Sequence, residues 1–141
     1  MVFDLEHWSL DETKGLVDFY NAQTADLPYC HAVDAEAFDW GIRHPRYHEG
    51  LHEDLSEEEI IVAKRDGDVV GFIHLADEIE SHDNGQSPGG IIRYLSYAPG
   101  CRDAGQMLMD AAEERFRGRG FKRIYAFLKN YIYRFYVLGY G

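Results

Sequence analysis

Basic residues are scarce in this 141-residue chain. Its 14 lysines and arginines, only four of them lysine, stand against 25 acidic residues, for a net charge of −11. Such a surface repels phosphates, which argues against nucleic acid and against an anionic membrane as partners. Cysteine is scarcer still. Cys30 and Cys101 lie far apart with no Cys-x-x-Cys, so two reduced thiols in a cytoplasmic protein are expected rather than a disulfide framework. No run of 18 apolar residues occurs, and the first 20 residues are acidic and periodic, unlike a targeting signal. Also missing are Gly-x-x-x-x-Gly-Lys-Ser/Thr and Gly-x-Gly-x-x-Gly, the loops of P-loop and dinucleotide-binding proteins. At this length the chain makes one domain, residues 1–141.

The charge that is present is uneven. Residues 1–60 carry 15 acidic against 3 basic residues, a net of −12, whereas residues 61–141 carry a net of +1. The division fits a C-terminal half that holds an anionic ligand and an N-terminal half that attracts a cation; a solvated acidic surface explains it equally.

The chain is organised around residues 90–120. Ile91-Ile92-Arg93-Tyr94-Leu95-Ser96-Tyr97 reads as a strand, ended by Pro99 and Gly100. A helix over 105–119 follows, with Leu108, Ala111, Ala112 and Phe116 on one stripe and Arg115, Arg117 and Arg119 in its last turn. Residues 122–128 read as a further strand, which completes a right-handed βαβ crossover. The intervening loop sets backbone N–H groups at a positive helix end, a cradle for a pyrophosphate that needs no metal.

Elsewhere, residues 1–9 suit a first strand, and Ser9-Leu10-Asp11-Glu12 is a capping box for a helix with Thr13, Leu16, Val17 and Tyr20 on one face. Residues 25–31 read as loop, and Asp34 caps a short helix that ends near Gly41. Asp66-Gly67 is a tight-turn signal between apolar runs at 60–65 and 69–75, the clearest hairpin in the chain. The connection over 77–90 is long and polar. His44, His48 and His52 have helical spacing, yet Pro45 and Gly50 interrupt it, so polar loop histidines are expected and no metal site.

With these elements placed, the sequence resembles the GNAT family of acyl-CoA-dependent N-acyltransferases. Arg102-Asp103-Ala104-Gly105-Gln106-Met107 resembles the family's Arg/Gln-x-x-Gly-x-Gly/Ala loop, with Met107 in place of the closing small residue. Residues 130–140 resemble its last helix, with Asn130, Tyr136 and Leu138-Gly139-Tyr140 in matching places. The resemblance implies an α/β fold: a mixed, twisted sheet of roughly six strands with helices on both faces. The strands at 60–65, 69–75 and 91–97 would be consecutive and antiparallel, and the strand at 122–128 parallel to the last of them. Two strands that family domains carry after the final helix are absent from the sequence.

It also implies acetyl-CoA as co-substrate and a primary amine of a small molecule or peptide as acceptor. By the same resemblance, backbone groups of Leu95, Ser96 and Tyr97 hold the thioester arm. Arg102, Asp103, Ala104, Gly105 and Gln106 take the pyrophosphate, and Asn130 lies near the pantetheine. Tyr136 is the acid for the leaving thiolate, with Tyr133 as substitute or with both as core packing. Glu78, Glu80 and His74 are candidate bases, and Pro28, Tyr29, His31, Phe38 and Trp40 form either a substrate wall or a small core. The strand at 122–128 is left at a sheet edge, which a second copy would cover in a homodimer. A non-catalytic module of the same fold is the alternative.

Overall fold

The computed structural model describes residues 2–27, 30–43, 55–79, 87–127 and 133. Five strands, β1 (Asp4–Trp8), β2 (Leu55–Arg65), β3 (Asp68–Glu78), β4 (Gly90–Tyr97) and β5 (Ile124–Ala126), form one sheet in the order β1-β2-β3-β4-β5. The first four pair antiparallel and β5 lies parallel to β4, the mixed sheet expected. The count among the described residues is five strands rather than six.

Local chemistry sets the elements. Ser9 and Glu12 close the capping box, with Asp11 N–H to Ser9 Oγ at 3.3 Å and Ser9 N–H to Glu12 Oε1 at 3.0 Å. A 3-10 helix (Leu10–Leu16) follows and runs into α1 (Val17–Thr24). Asp34 Oδ1 accepts the Ala37 N–H at 2.7 Å and caps α2, which spans Ala35–Arg43 rather than ending near Gly41. Asp66 and Gly67, both at positive φ, make the β2–β3 turn. Both hairpin strands are longer than the apolar runs suggest, since Leu55 still pairs with Glu78 and Ser56 with Asp77.

The helix expected over 105–119 is α3, Arg102–Gly118, and starts three residues earlier. Gly100, at φ 81°, turns the chain, and Cys101 N–H bonds Ala98 O at 2.9 Å. The helix can therefore begin at once, with Asp103 favourably placed in its first turn. The last strand is shorter than expected; it ends at Ala126, and Phe127 has a φ of 58°.

Two cores sandwich the sheet. Ile61, Ala63, Ile73, Leu75 and Ile92 pack against Ala104, Leu108, Ala112 and Phe116 of α3. Ile60, Val62, Phe72 and Tyr94 pack on the opposite face against Leu16, Val17, Tyr20, Phe38 and Ile42 of the N-terminal helices, together with Tyr133. At 25 cal/mol per Å², each such fully buried aliphatic side chain contributes about 1.5–3 kcal/mol.

Candidate active site

Strand β4 has two ladders of unequal length. Its pairing with β3 runs from Gly90 to Tyr97, but among the described residues its pairing with β5 stops at Ile92, opposite Ala126. Phe127 N–H adds one more bond, to Ile92 O at 2.9 Å. Leu95, Ser96 and Tyr97 therefore lie past the β5 ladder, the first two half-buried and Tyr97 exposed. The end of this stretch leads straight into α3. There Cys101 O takes the N–H groups of Ala104 and Gly105, so the Arg102 and Asp103 amides precede the first helical bond.

The residues expected around a pyrophosphate divide into two groups. Arg102, Asp103 and Gln106 are exposed, and Gln106 Nε2 donates to Asp110 Oδ1 at 3.0 Å. Ala104 and Gly105 are buried. Ala104 belongs to the core, and a Cβ on Gly105 would meet the Tyr97 ring at 2.5 Å. Gly105 thus allows the close approach of α3 to Tyr97, and its backbone is helical. Tyr136, Asn130, Pro28, Tyr29, Glu80, His44, His48 and His52 lie outside the described residues.

On the opposite face, two β-bulges bring charge against β3. Glu57 and Glu58 of β2 stand opposite Ala76 alone, with Glu57 at φ 51°. Arg93 of β4 is the extra residue between Ile92, opposite Leu75, and Tyr94, opposite His74. Bulges re-aim side chains in this way and recur beside active sites. Glu58 Oε1 accepts from Arg93 Nη1 at 2.8 Å and lies 3.0 Å from His74 Nε2; Arg93 Nη1 also donates to Ile42 O at 2.7 Å. The other ring nitrogen, His74 Nδ1, is 2.8 Å from the Tyr133 hydroxyl. Tyr133 stacks on Tyr94 at 5.0 Å, and Arg93 lies over its ring at 5.3 Å. Burial pushes the Tyr133 phenol well above its ordinary range, with Arg93 pulling the other way. Of the group, only Glu58 reaches a cavity of about 430 Å³, at the notch where β1 ends, shared with His7, Trp8, Glu12, Arg115 and Arg119.

Of the candidate bases, His74 is therefore in a polar cluster, whereas Glu78 accepts the Gly89 N–H at 2.9 Å and closes the base of the β3–β4 connection. Phe38 is core, against Tyr20 and Tyr133; His31 and Trp40 are exposed. Glu58 and Arg93 did not stand out in the sequence. The one signal was an arginine inside the apolar run Ile91-Ile92-Arg93-Tyr94-Leu95.

Comparison with known proteins gives a consistent picture. The model of the "Acetyltransferase (GNAT) family" matches residues 17–140. A ribosomal-protein-alanine N-acetyltransferase from Brucella melitensis biovar Abortus 2308 is similar in structure, with a TM-score of 0.60 at 14% identity over 89% of this chain and 79% of that one. An aminoglycoside acetyltransferase from an uncultured soil metagenomic sample gives 0.59 at 14% identity over 88% and 76%. An aminoglycoside 6'-N-acetyltransferase from Acinetobacter baumannii gives 0.58 at 12% identity over 89% and 78%. At these identities the likeness is one of fold. No curated protein matches the sequence. Among the described residues, no helix is long and apolar enough to cross a membrane.

Proposed function

The chain belongs to the acetyltransferase (GNAT) family, and on that premise we propose that it transfers an acetyl group from acetyl-CoA to a primary amine of a small molecule or peptide. The observation that carries this reading is the unequal pairing of β4, which leaves Leu95–Tyr97 past the β5 ladder and leads into the first turn of α3. A thioester arm lying along that stretch would find backbone N–H groups to polarise its carbonyl, and the pyrophosphate would meet the Arg102 and Asp103 amides at the positive helix end. Asn130 is proposed beside the pantetheine, and Tyr136 as donor to the leaving thiolate. The acidic N-terminal half suits a cationic acceptor. Aminoglycosides, the substrates named for two of the similar structures, are a suitable first panel. Among the described residues β5 ends the sheet, with Ile124 and the adjoining Phe127 exposed, and it is the surface we assign to homodimer pairing, which light scattering tests.

The test is calorimetric titration with acetyl-CoA, followed by thiol release in the presence of an amine panel. Asp103→Asn removes a like charge next to the proposed phosphate and should tighten acetyl-CoA severalfold, an effect that fades with salt. Absence of binding to either form refutes the reading. Binding without turnover of any amine favours the non-catalytic module, which the exposed Asp103 carboxylate in the first turn of α3 already supports.

A further inference from the structure

We propose that the turn between α3 and β5 is a docking surface for a short acidic segment of a partner protein. The chain has 14 lysines and arginines, and five of them fall between positions 115 and 123, a stretch that holds no acid. Two of the five are turned inward. Arg115 Nη1 and Arg119 Nη1 each lie 2.8 Å from an oxygen of the buried Asp77, and Arg115 Nε also holds Glu59 at 2.6 Å. Arg117, Lys122 and Arg123 are exposed, and among the described residues none of the three makes an ion pair.

Neither the helix nor solubility accounts for these three. A cation in the last turn suits the negative helix end, which covers Arg117, but Lys122 and Arg123 come after the helix. A chain of net charge −11 needs no further charge to stay in solution. Cations that served to balance its acids would stand beside them. Glu113 precedes Arg117 by four residues, the spacing of a helical ion pair, yet Arg117 is left unpaired.

The turn that carries them is fixed in shape. Gly120 has a φ of 79°, and its N–H bonds Arg117 O at 3.0 Å, while Phe121 N–H bonds Phe116 O at 3.1 Å. The Phe121 ring meets Phe116 edge-on at 6.0 Å, and Arg123 O takes the Gly90 N–H at 2.9 Å, which ties the turn to β4. Cations mounted on such a frame need less ordering when a ligand arrives. The surface is also open. A Cβ on Gly118 or Gly120 would meet nothing within 4 Å, so a polypeptide backbone can come close.

Size selects the anion. A guanidinium group matches carboxylate and phosphate alike. Salt limits the reach of an exposed charge to about 10 Å at 0.1 M, so a few carboxylates on a short segment sense only this patch. A nucleic acid or an anionic bilayer extends past it and meets the acid excess of the rest of the surface. The patch also stands apart from the proposed acetyl-CoA site. It lies at the other end of α3 from Arg102 and Asp103, about 25 Å along the helix at 1.5 Å per residue.

The test is fluorescence anisotropy with labelled hexaglutamate. The wild type should bind it at low salt and release it at about 0.5 M sodium chloride. A variant combining Arg117→Gln, Lys122→Gln and Arg123→Gln should bind it about 10-fold or more weakly. Lys14→Gln removes an exposed cation elsewhere and should change the affinity less than about twofold. All four side chains are exposed, so the melting temperatures should match the wild type and show that the variants are folded. Excess acetyl-CoA should leave the peptide bound. A wild type that does not bind hexaglutamate, a triple variant that binds it as well, or an equal loss in Lys14→Gln overturns the proposal. So does a wild type that prefers single-stranded oligouridylate or phosphatidylserine vesicles to the peptide, or a peptide that acetyl-CoA displaces. In those cases the patch serves a long polyanion or the cofactor.

Discussion

The two faces of the sheet are equally buried and differently built. Against α3 the contacts are aliphatic, with Leu108 and Phe116 set over Ile61, Ile73, Leu75 and Ile92. Close approach there depends on missing atoms: a Cβ on Gly90 would lie 2.4 Å from the Phe116 ring, and one on Gly105 2.5 Å from Tyr97. The other face is aromatic and charged. Tyr20, Phe38, Phe72, Tyr94 and Tyr133 share one cluster, and His74 and Arg93 are buried beside it. One face needs only shape, so its residues are interchangeable with others of similar volume. The other needs hydrogen-bond partners in fixed places, and chemistry is possible only where such partners exist.

The largest effect should come from breaking the charged pair. Arg93→Met leaves the Glu58 carboxylate, only 14% exposed, without its guanidinium, at a cost of about 3–5 kcal/mol. Adding Glu58→Leu should recover much of that loss, because the uncompensated charge goes too. On the aliphatic face Leu108→Ala should cost about 2–5 kcal/mol, and no polar substitution nearby should restore it. Urea midpoints for the four proteins measure this; a double variant as unstable as Arg93→Met would erase the contrast between the faces.

That contrast was half legible in the sequence. The α3 stripe of Leu108, Ala112 and Phe116, the Asp66-Gly67 turn and the Ser9–Glu12 box depend on residues close in the chain, and each appears in the structure. The charged face does not arise locally. Glu57-Glu58-Glu59 looks like a solvated lead-in, yet the bulge sends Glu58 inward to His74 while Glu59 turns to Arg115, whose Nε lies 2.6 Å from Glu59 Oε1. A bulge shifts register by one residue, which inverts every face assignment made from alternation. Tyr133 was recognisable as aromatic, but its partner His74 is 59 positions away. The expected start of α3 at Gly105 is three residues late because the glycine reads as opening the helix, whereas what it accommodates is the Tyr97 ring.

A smaller difference should appear in alkali. Burial raises the phenols of Tyr20 and Tyr133 above their ordinary value. In the unfolded chain both ionise near pH ~10; in the folded one they stay protonated. Their stabilisation is therefore complete below pH ~10 and lost as pH rises through the folded values, by about 1.4 kcal/mol per pH unit for each tyrosine. Tyr20→Phe and Tyr133→Phe should each flatten the fall in stability between pH ~10 and ~11. Leu108→Ala should lower the whole curve without changing its slope. Parallel curves for all four proteins would mean that the aromatic face is not sealed from solvent.

The smallest effect tests the aliphatic face by adding an atom. Inside a helix, Gly→Ala ordinarily stabilises by about 1 kcal/mol. At position 105 the new methyl meets the Tyr97 ring at 2.5 Å, and overpacking typically costs about 1–3 kcal/mol. Tyr97 is 41% exposed, so its ring can swing toward solvent and the cost should fall at the low end. Gly105→Ala is then nearly neutral or slightly destabilising, with a melting shift of a few degrees at most. In a Tyr97→Ala background the clash is gone and only the helix preference remains, so the same substitution should raise stability by about 1 kcal/mol. The reversal of sign is the measurement. A loss that persists without the Tyr97 ring would assign the constraint at Gly105 to the helix backbone, and the close packing of α3 on β4 would have to be explained through Gly90 alone.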